Sequence, residues 1–285
     1  MRPKEQKAKL SVVVITLDEE ADLPGFLENF LTIADEILII DDGSTDRTKE
    51  IAEAAGEKVR FVSSPRKKGE GFCDQRQKGV EAAQSEWLLQ VDCDMRLTAA
   101  LASEISEAIQ HGDFIAYRFR LRQYFMNHHV RYGGFQYWNQ PWLSRRGATS
   151  WTQKVHERIC ISGNPKQIGQ LSARMIHLND MNFMERLRKN RQYSELEAQR
   201  LIDAGEDFTF LKIFYIPFWR FVRSYIVMRG FMDGAVGFVW GIYQFTSNAT
   251  IYFIGWDRKY GGSRAANERS IAESMQGYNA RNNRQ

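Results

Sequence analysis

Trp87-Leu-Leu-Gln-Val-Asp-Cys-Asp-Met95 decides the fold. Its apolar run, Trp87 to Val91, has strand length and stops abruptly at two carboxylates, Asp92 and Asp94. A short, continuously apolar run is what a strand buried on both faces of a parallel sheet requires. Open parallel sheets bind ligands in the crevice beyond the carboxyl ends of their strands. Carboxylates delivered there are too costly to bury unpaired. They suit a hard divalent cation, which takes oxygen ligands and bridges to phosphates. Taken alone, the pattern fits an exposed acidic turn equally well, so the neighbouring strands must decide.

Ser11-Val-Val-Val-Ile-Thr16 is a β-branched run that gives way to Asp18, and Glu36-Ile-Leu-Ile-Ile40 runs into Asp41-Asp42-Gly43. Between them Leu23, Phe26, Leu27, Phe30 and Leu31 fall on one helical face. A short strand at Val59 to Val62 and a helix from about Phe72 to Ala83 continue the rhythm. Such βαβαβ alternation calls for a parallel α/β sheet with right-handed crossovers. Asp18, Asp41, Asp42, Asp92 and Asp94 then line one crevice. Asp41-Asp42-Gly43 also reads as a turn into a helix, because Asp and Ser are ordinary N-caps. Neither a dinucleotide glycine fingerprint nor a P-loop is present. A nucleotide here needs its phosphates neutralised by metal and basic side chains instead.

Downstream, a helix is expected over about Ala99 to Ile109, followed by a strand in which Tyr117, Phe119 and Leu121 alternate with Arg118, Arg120 and Arg122. Residues 127–150 are loop-rich and aromatic, with Gly133-Gly134 at their centre. Gln153 to Ile159 reads as a short strand carrying His156 and Glu157, and Phe183 to about Ala204 as a charged helix. Residues 208–232 combine aromatics with Lys212, Arg220, Arg223 and Arg229 and no acid. Residues 234–256 are uncharged but interrupted by Gln244, Ser247, Asn248 and glycines. This is marginal for a spanning helix and fits helices lying at a membrane interface; a helical pair packed on the main domain is the alternative.

A length of 285 residues with 43% hydrophobic and 26% charged content describes a globular chain with a sizeable core. The net charge of +4 permits a basic patch without implying nucleic acid. Cys73, Cys93 and Cys160 lack ligand spacing and suggest a reducing compartment. The basic N-terminus is followed by an apolar run of only strand length, which argues against a signal peptide and for a cytoplasmic protein. The expected division is a catalytic domain over 1–205 and a membrane-surface helical region with a polar tail over 206–285.

Ser11-Val-Val-Val-Ile-Thr-Leu-Asp-Glu-Glu20, Ile37-Leu-Ile-Ile-Asp-Asp-Gly-Ser-Thr-Asp46 and Trp87 to Asp94 resemble three signatures of the family 2 glycosyltransferases. Val155-His-Glu157, His177, Tyr193-Ser194 and Gly230 to Gly237 are similar to its bacterial lipopolysaccharide-core glucosyltransferase branch. The resemblance covers about residues 10 to 256. It implies a GT-A fold, mostly parallel, and inverting transfer of a hexose, in that branch glucose, from a nucleotide-diphosphate sugar to a lipid-linked glycan. It implies that Thr16, Asp18, Asp42, Arg76 and Asp92 hold the donor, with UDP as its nucleotide, and that Gly134 lets backbone approach it. Asp94, Asp92 and His177 would hold Mg²⁺ or Mn²⁺, and Glu157 would be the catalytic base. An inverting displacement needs such a carboxylate, because the free alcohol is a poor nucleophile, and needs charge stabilisation on the departing diphosphate. Trp138, Trp142, Arg145 and Arg146 are candidates for contacts to acceptor or phosphate.

The chain departs from the family pattern in three places. Asp18 stands where Asn is usual, Met95 where Glu usually follows the metal motif, and Trp142-Leu-Ser-Arg-Arg146 where the branch has Arg-Leu-Phe-Arg-Arg. Donor and acceptor preference are therefore open. The rival readings are transfer to a polyprenyl phosphate and a nucleotide-sugar-binding protein without catalysis.

Overall fold

The computed structural model describes residues 9–67, 69–152, 158–179 and 182–282. β1 (Leu10–Thr16), α1 (Leu23–Phe30), β2 (Glu36–Asp41), α2 (Thr48–Ala54), β3 (Val59–Ser63), α3 (Phe72–Ala82) and β4 (Trp87–Val91) follow the expected alternation. The four strands are parallel, in the order β3-β2-β1-β4. β4 is buried along its whole length, and β1 and β2 nearly so, which is why their sequences are continuously apolar. Winding reverses between β1 and β4, and such a switch point opens a crevice at the strands' carboxyl ends.

β5 (Met95–Arg96), α4 (Ala99–His111), β6 (Ala116–Phe125), β7 (His128–Val130), β8 (Asn139–Arg145), β9 (Thr149–Thr152), β10 (Arg158–Ile161) and β11 (Ile168–His177) complete the sheets. β8 runs antiparallel to both β4 and β6, whereas β11 is parallel to β6. The α/β architecture expected from the resemblance is present, with a parallel first half and a mixed second half. β5 is only two residues long, yet it pairs Met95 with His177 and so fastens the acidic turn against the end of β11. Trp87, Phe26, Phe30 and Phe119 fill the core beneath, each fully buried. Side chains of this size contribute about 1.5–3 kcal/mol apiece on burial.

α5 (Phe183–Asp203), α6 (Phe210–Val222), α7 (Gly234–Tyr260) and α8 (Arg264–Asn282) follow the sheet. The expected polar tail forms the last of these. α7 docks on α5, where Tyr243 and Ser247 hydroxyls donate to Asn190 Oδ1, and on the loop after β7. There the Arg131 and Tyr132 N–H groups donate to Asp233, and Gly133 O accepts from Ser224 and Trp240. Gly133 has φ of 73°, and a Cβ there would meet Trp240 at 2.9 Å, so glycine is required by the docking itself. Among the described residues no helix is long and apolar enough to cross a membrane.

Candidate active site

Asp92 and Asp94 project from the turn between β4 and β5, and His177 closes β11 beside them. One ligand atom from each of the three lies within 4.8 Å of the others. His177 Nε2 is 3.2 Å from Asp94 Oδ2. Its other ring nitrogen, Nδ1, faces Gln123 Oε1 at 2.9 Å, and the Asn179 amide donates to the same oxygen at 2.9 Å. An amide oxygen can only accept, so Nδ1 carries a proton and Nε2 points at a carboxylate. Such a contact needs a proton or a cation between the partners. Asp94 Oδ1 is buried and has no hydrogen-bond partner among the described residues. Two carboxylates, one of them with an orphaned oxygen, and one imidazole fit a divalent cation of the Mg²⁺ or Mn²⁺ type.

The electrostatics reflect the crowding of these groups in one crevice. Burial opposes ionisation of Asp92, but the Arg76 guanidinium and His177 outweigh it and hold the carboxyl below its usual range. Burial likewise lowers the basicity of His177, while Asp94 and then Asp92 raise it further, for a net upward shift. Glu19, on the loop after β1, is pushed up to about 8 by burial and by Asp94. Asp22 is shifted upward by the same two causes, although Arg96 at 3.3 Å opposes them. Lys189 of α5 acts on Glu19 and Asp92 from across the crevice. Glu19, Asp22, Gln123 and Lys189 are therefore members of this cluster that sequence reading missed. Glu19 and Asp22 lie in a turn, and Gln123 follows the same alternation as its core neighbours.

Arg76 rises from α3 to pair with Asp92 and lies over the Trp151 ring, 4.7 Å from its centroid. Asp42 is held by the Arg66 backbone N–H at 2.7 Å and its guanidinium at 2.6 Å. Thr16 donates to Asp41 at 2.8 Å. Asp41 is only 3% exposed and also accepts from the Gly43 and Ser44 N–H groups, so it builds the turn after β2 rather than lining the crevice. Asp18 adopts φ of 55° and caps Thr45 N at 2.8 Å, tying the loops after β1 and β2 together.

The fold separates the remaining sequence candidates. Trp138 is exposed. Trp142 is 4% exposed, packed in the core against Phe119, because its place on β8 points inward. Arg145 pairs with Glu86 and stacks on Trp87, and the Arg146 N–H donates to Glu86 O. β8 is antiparallel to β4, so both arginines lie at the start of β4, opposite the Asp92 end. Trp142 is thus a core residue, and Arg145 and Arg146 stand away from the Asp92 turn. Gly134, with φ of 113°, lies against Met228 in the docking loop. Glu157 and His156 lie outside the described residues.

An α/β sheet with a switch-point crevice, an acidic turn and a histidine across from it is a setting suited to a divalent cation and a phosphate-bearing ligand. Residues 11–162 match the sequence profile described as glycosyl transferase family 2. The lipopolysaccharide core biosynthesis glycosyltransferase LpsC of Rhizobium meliloti (strain 1021) is 30% identical over 260 residues, covering 86% of this chain and 93% of LpsC. An uncharacterized glycosyltransferase of Rickettsia bellii is 27% identical over 242 residues, covering 81% of this chain and 80% of that protein. In fold, the chain is similar to S. aureus TarS 1–349 solved with UDP-GlcNAc: TM-score 0.50, 14% identity, 90% of this chain and 93% of that one. The chain belongs to glycosyl transferase family 2.

Proposed function

We propose that this glycosyltransferase moves a hexose, glucose in our reading, with inversion, from a UDP-sugar to a lipid-linked saccharide of the lipopolysaccharide-core type. The observation that carries the reading is the Asp92, Asp94 and His177 cluster at the switch point, with one Asp94 oxygen left unsatisfied. Thr16, Asp18 and Asp42 lie at the ends of β1 and β2, where a nucleotide's base and ribose fit the crevice rule. Arg76 bridges from α3 to Asp92 and would meet the diphosphate once that pair opens. A bound Mg²⁺ or Mn²⁺ would offset the charge that develops on the leaving diphosphate. Asp92, Asp94 and His177 would hold it.

Glu157 is assigned as the base that takes the proton from the attacking acceptor hydroxyl. The neutral hydroxyl becomes an effective nucleophile only as that proton leaves. The sugar's anomeric carbon then exchanges its bond to the diphosphate oxygen for one to the acceptor oxygen. The likeness to LpsC supports the acceptor class.

Residues 206–285 are assigned to the membrane and 1–205 to catalysis. Phe210, Leu211 and Phe214 of α6 are 83%, 77% and 65% exposed, and Tyr215, Phe218 and Trp219 continue the same face. Arg220, Arg223 and Arg229 stand exposed near it. An aromatic face rimmed by cations suits the anionic inner face of the cytoplasmic membrane, at about 1 kcal/mol per basic residue. Incubating the protein with radiolabelled UDP-glucose, Mn²⁺ and deep-rough lipopolysaccharide tests the assignment. Label transferred to the lipid supports it; UDP binding with neither transfer nor donor hydrolysis refutes it.

A further inference from the structure

Tyr117, Phe119 and Leu121 of β6 face the core, while Arg118, Arg120 and Arg122 alternate with them on the open side. β11 adds Arg174 in register with Arg120, and Gln170 in register with Arg118. All four arginines are exposed. None of their guanidinium groups makes a hydrogen bond, ion pair or ring contact with a described residue. Elsewhere Arg60, Arg66, Arg76, Arg96 and Arg145 each hold a carboxylate. Like charges on adjacent strands repel, so an uncompensated row fixed on a rigid sheet is a preorganised receptor for anions.

The two ends of this row differ usefully. At the Arg118 end lies a groove of about 410 Å³, where Arg118, Asn139 and Gln140 meet Ile159, Ile161 and Ile168. Amides that can bond hydroxyls beside aliphatic walls that can meet a ring face are the makings of a saccharide site. At the other end Arg122 adjoins Gln123, the residue that holds His177. Burial, and after it Arg131, Arg122 and Arg174, lower the basicity of His129 there against the opposing Asp233. From Arg118 to Gln123 the strand rises roughly 17 Å, so the row leads from the groove towards the metal-ligand end of the sheet.

We propose that this arginine face and its groove are the acceptor subsite, and that the acceptor is an anionic saccharide bearing phosphate or carboxylate groups. The inference rests on the glycosyltransferase reading and deepens it by naming the chemistry of the acceptor. Guanidinium forks bind such groups through paired, charge-assisted hydrogen bonds.

The test is calorimetric titration of the full chain with lipid-free lipopolysaccharide core oligosaccharide, and with maltoheptaose as an uncharged counterpart. The wild type is expected to bind the first and not the second. Arg120→Gln/Arg174→Gln is expected to bind the anionic oligosaccharide about tenfold more weakly, with UDP affinity unchanged. A dephosphorylated oligosaccharide separates the anions: lost binding assigns phosphate, retained binding assigns carboxylate. Unchanged affinity in the double variant, equal binding of maltoheptaose, or no oligosaccharide binding by a wild type that binds UDP overturns the proposal. So does a defect confined to phosphatidylglycerol vesicles, which would make this face a membrane surface. Failure of the underlying reading shows separately, as a wild type that binds no UDP in the presence of Mn²⁺.

Discussion

Asp94 keeps a buried carboxylate oxygen without a donor, while its other oxygen faces His177. A folded chain tolerates an orphaned buried acceptor where a ligand completes it. Glu157, by contrast, acts in our account only on the acceptor's proton. Glu157→Gln should therefore lower turnover by roughly 10²–10⁴-fold and leave UDP affinity in place, which a transfer assay paired with calorimetry would read; near-normal turnover would remove it as the base. Glu36 gives the pH prediction. Burial pushes its carboxyl up, but the Ser11 hydroxyl, the Gln84 N–H and Arg60 outweigh that and hold it below its ordinary value of 4.5. The stability it contributes is thus present above that value and lost as pH falls through the lowered one. Glu36→Gln should cost about 1 kcal/mol at neutral pH and progressively less as the medium is acidified, by urea unfolding over that range.

Single residues also show where sequence reading stops. Asp92 and Asp94 were legible because an apolar strand delivers them to a predictable place. His177 was legible through the family resemblance, and β5 supplies the physical reason the two meet. Trp142 was not legible, since an aromatic in a loop-rich stretch looks like a sugar platform until the strand's inward face is known. Glu19 was hidden because its shifted basicity arises from Asp94, distant in sequence, and from burial that only the fold creates.

Among the elements, the parallel strands were readable from their uninterrupted apolar runs. β8 was not, because nothing in Trp142-Leu-Ser-Arg-Arg146 tells which way the strand runs beside β4. Its antiparallel direction carries Arg145 and Arg146 away from the crevice. α6 posed a different question, since an aromatic-rich helix can be buried or can lie in a membrane. Its exposed face answers the packing half. We expect the protein to co-sediment with phosphatidylglycerol-containing vesicles and less so with neutral ones. Phe214→Asp/Phe218→Asp should weaken that binding by an order of magnitude or more, because each buried aromatic side chain contributes about 1.5–3 kcal/mol. Equal sedimentation of variant and wild type would show that α6 is not the membrane element.

At the scale of the molecule, one crevice gathers groups from the ends of β1, β4 and β11 and from α5. The C-terminal helices are fastened to the same end of the sheet through Asp233 and the Gly133 loop. The central claim is that Asp92, Asp94 and His177 hold a divalent cation on which sugar transfer depends. Mn²⁺ binding followed by electron paramagnetic resonance, with UDP present, tests it most directly when wild type and Asp94→Asn are compared. We predict that the wild type takes up Mn²⁺ and that Asp94→Asn, folded and no less heat-stable, does not. Undiminished Mn²⁺ uptake by Asp94→Asn would contradict the account.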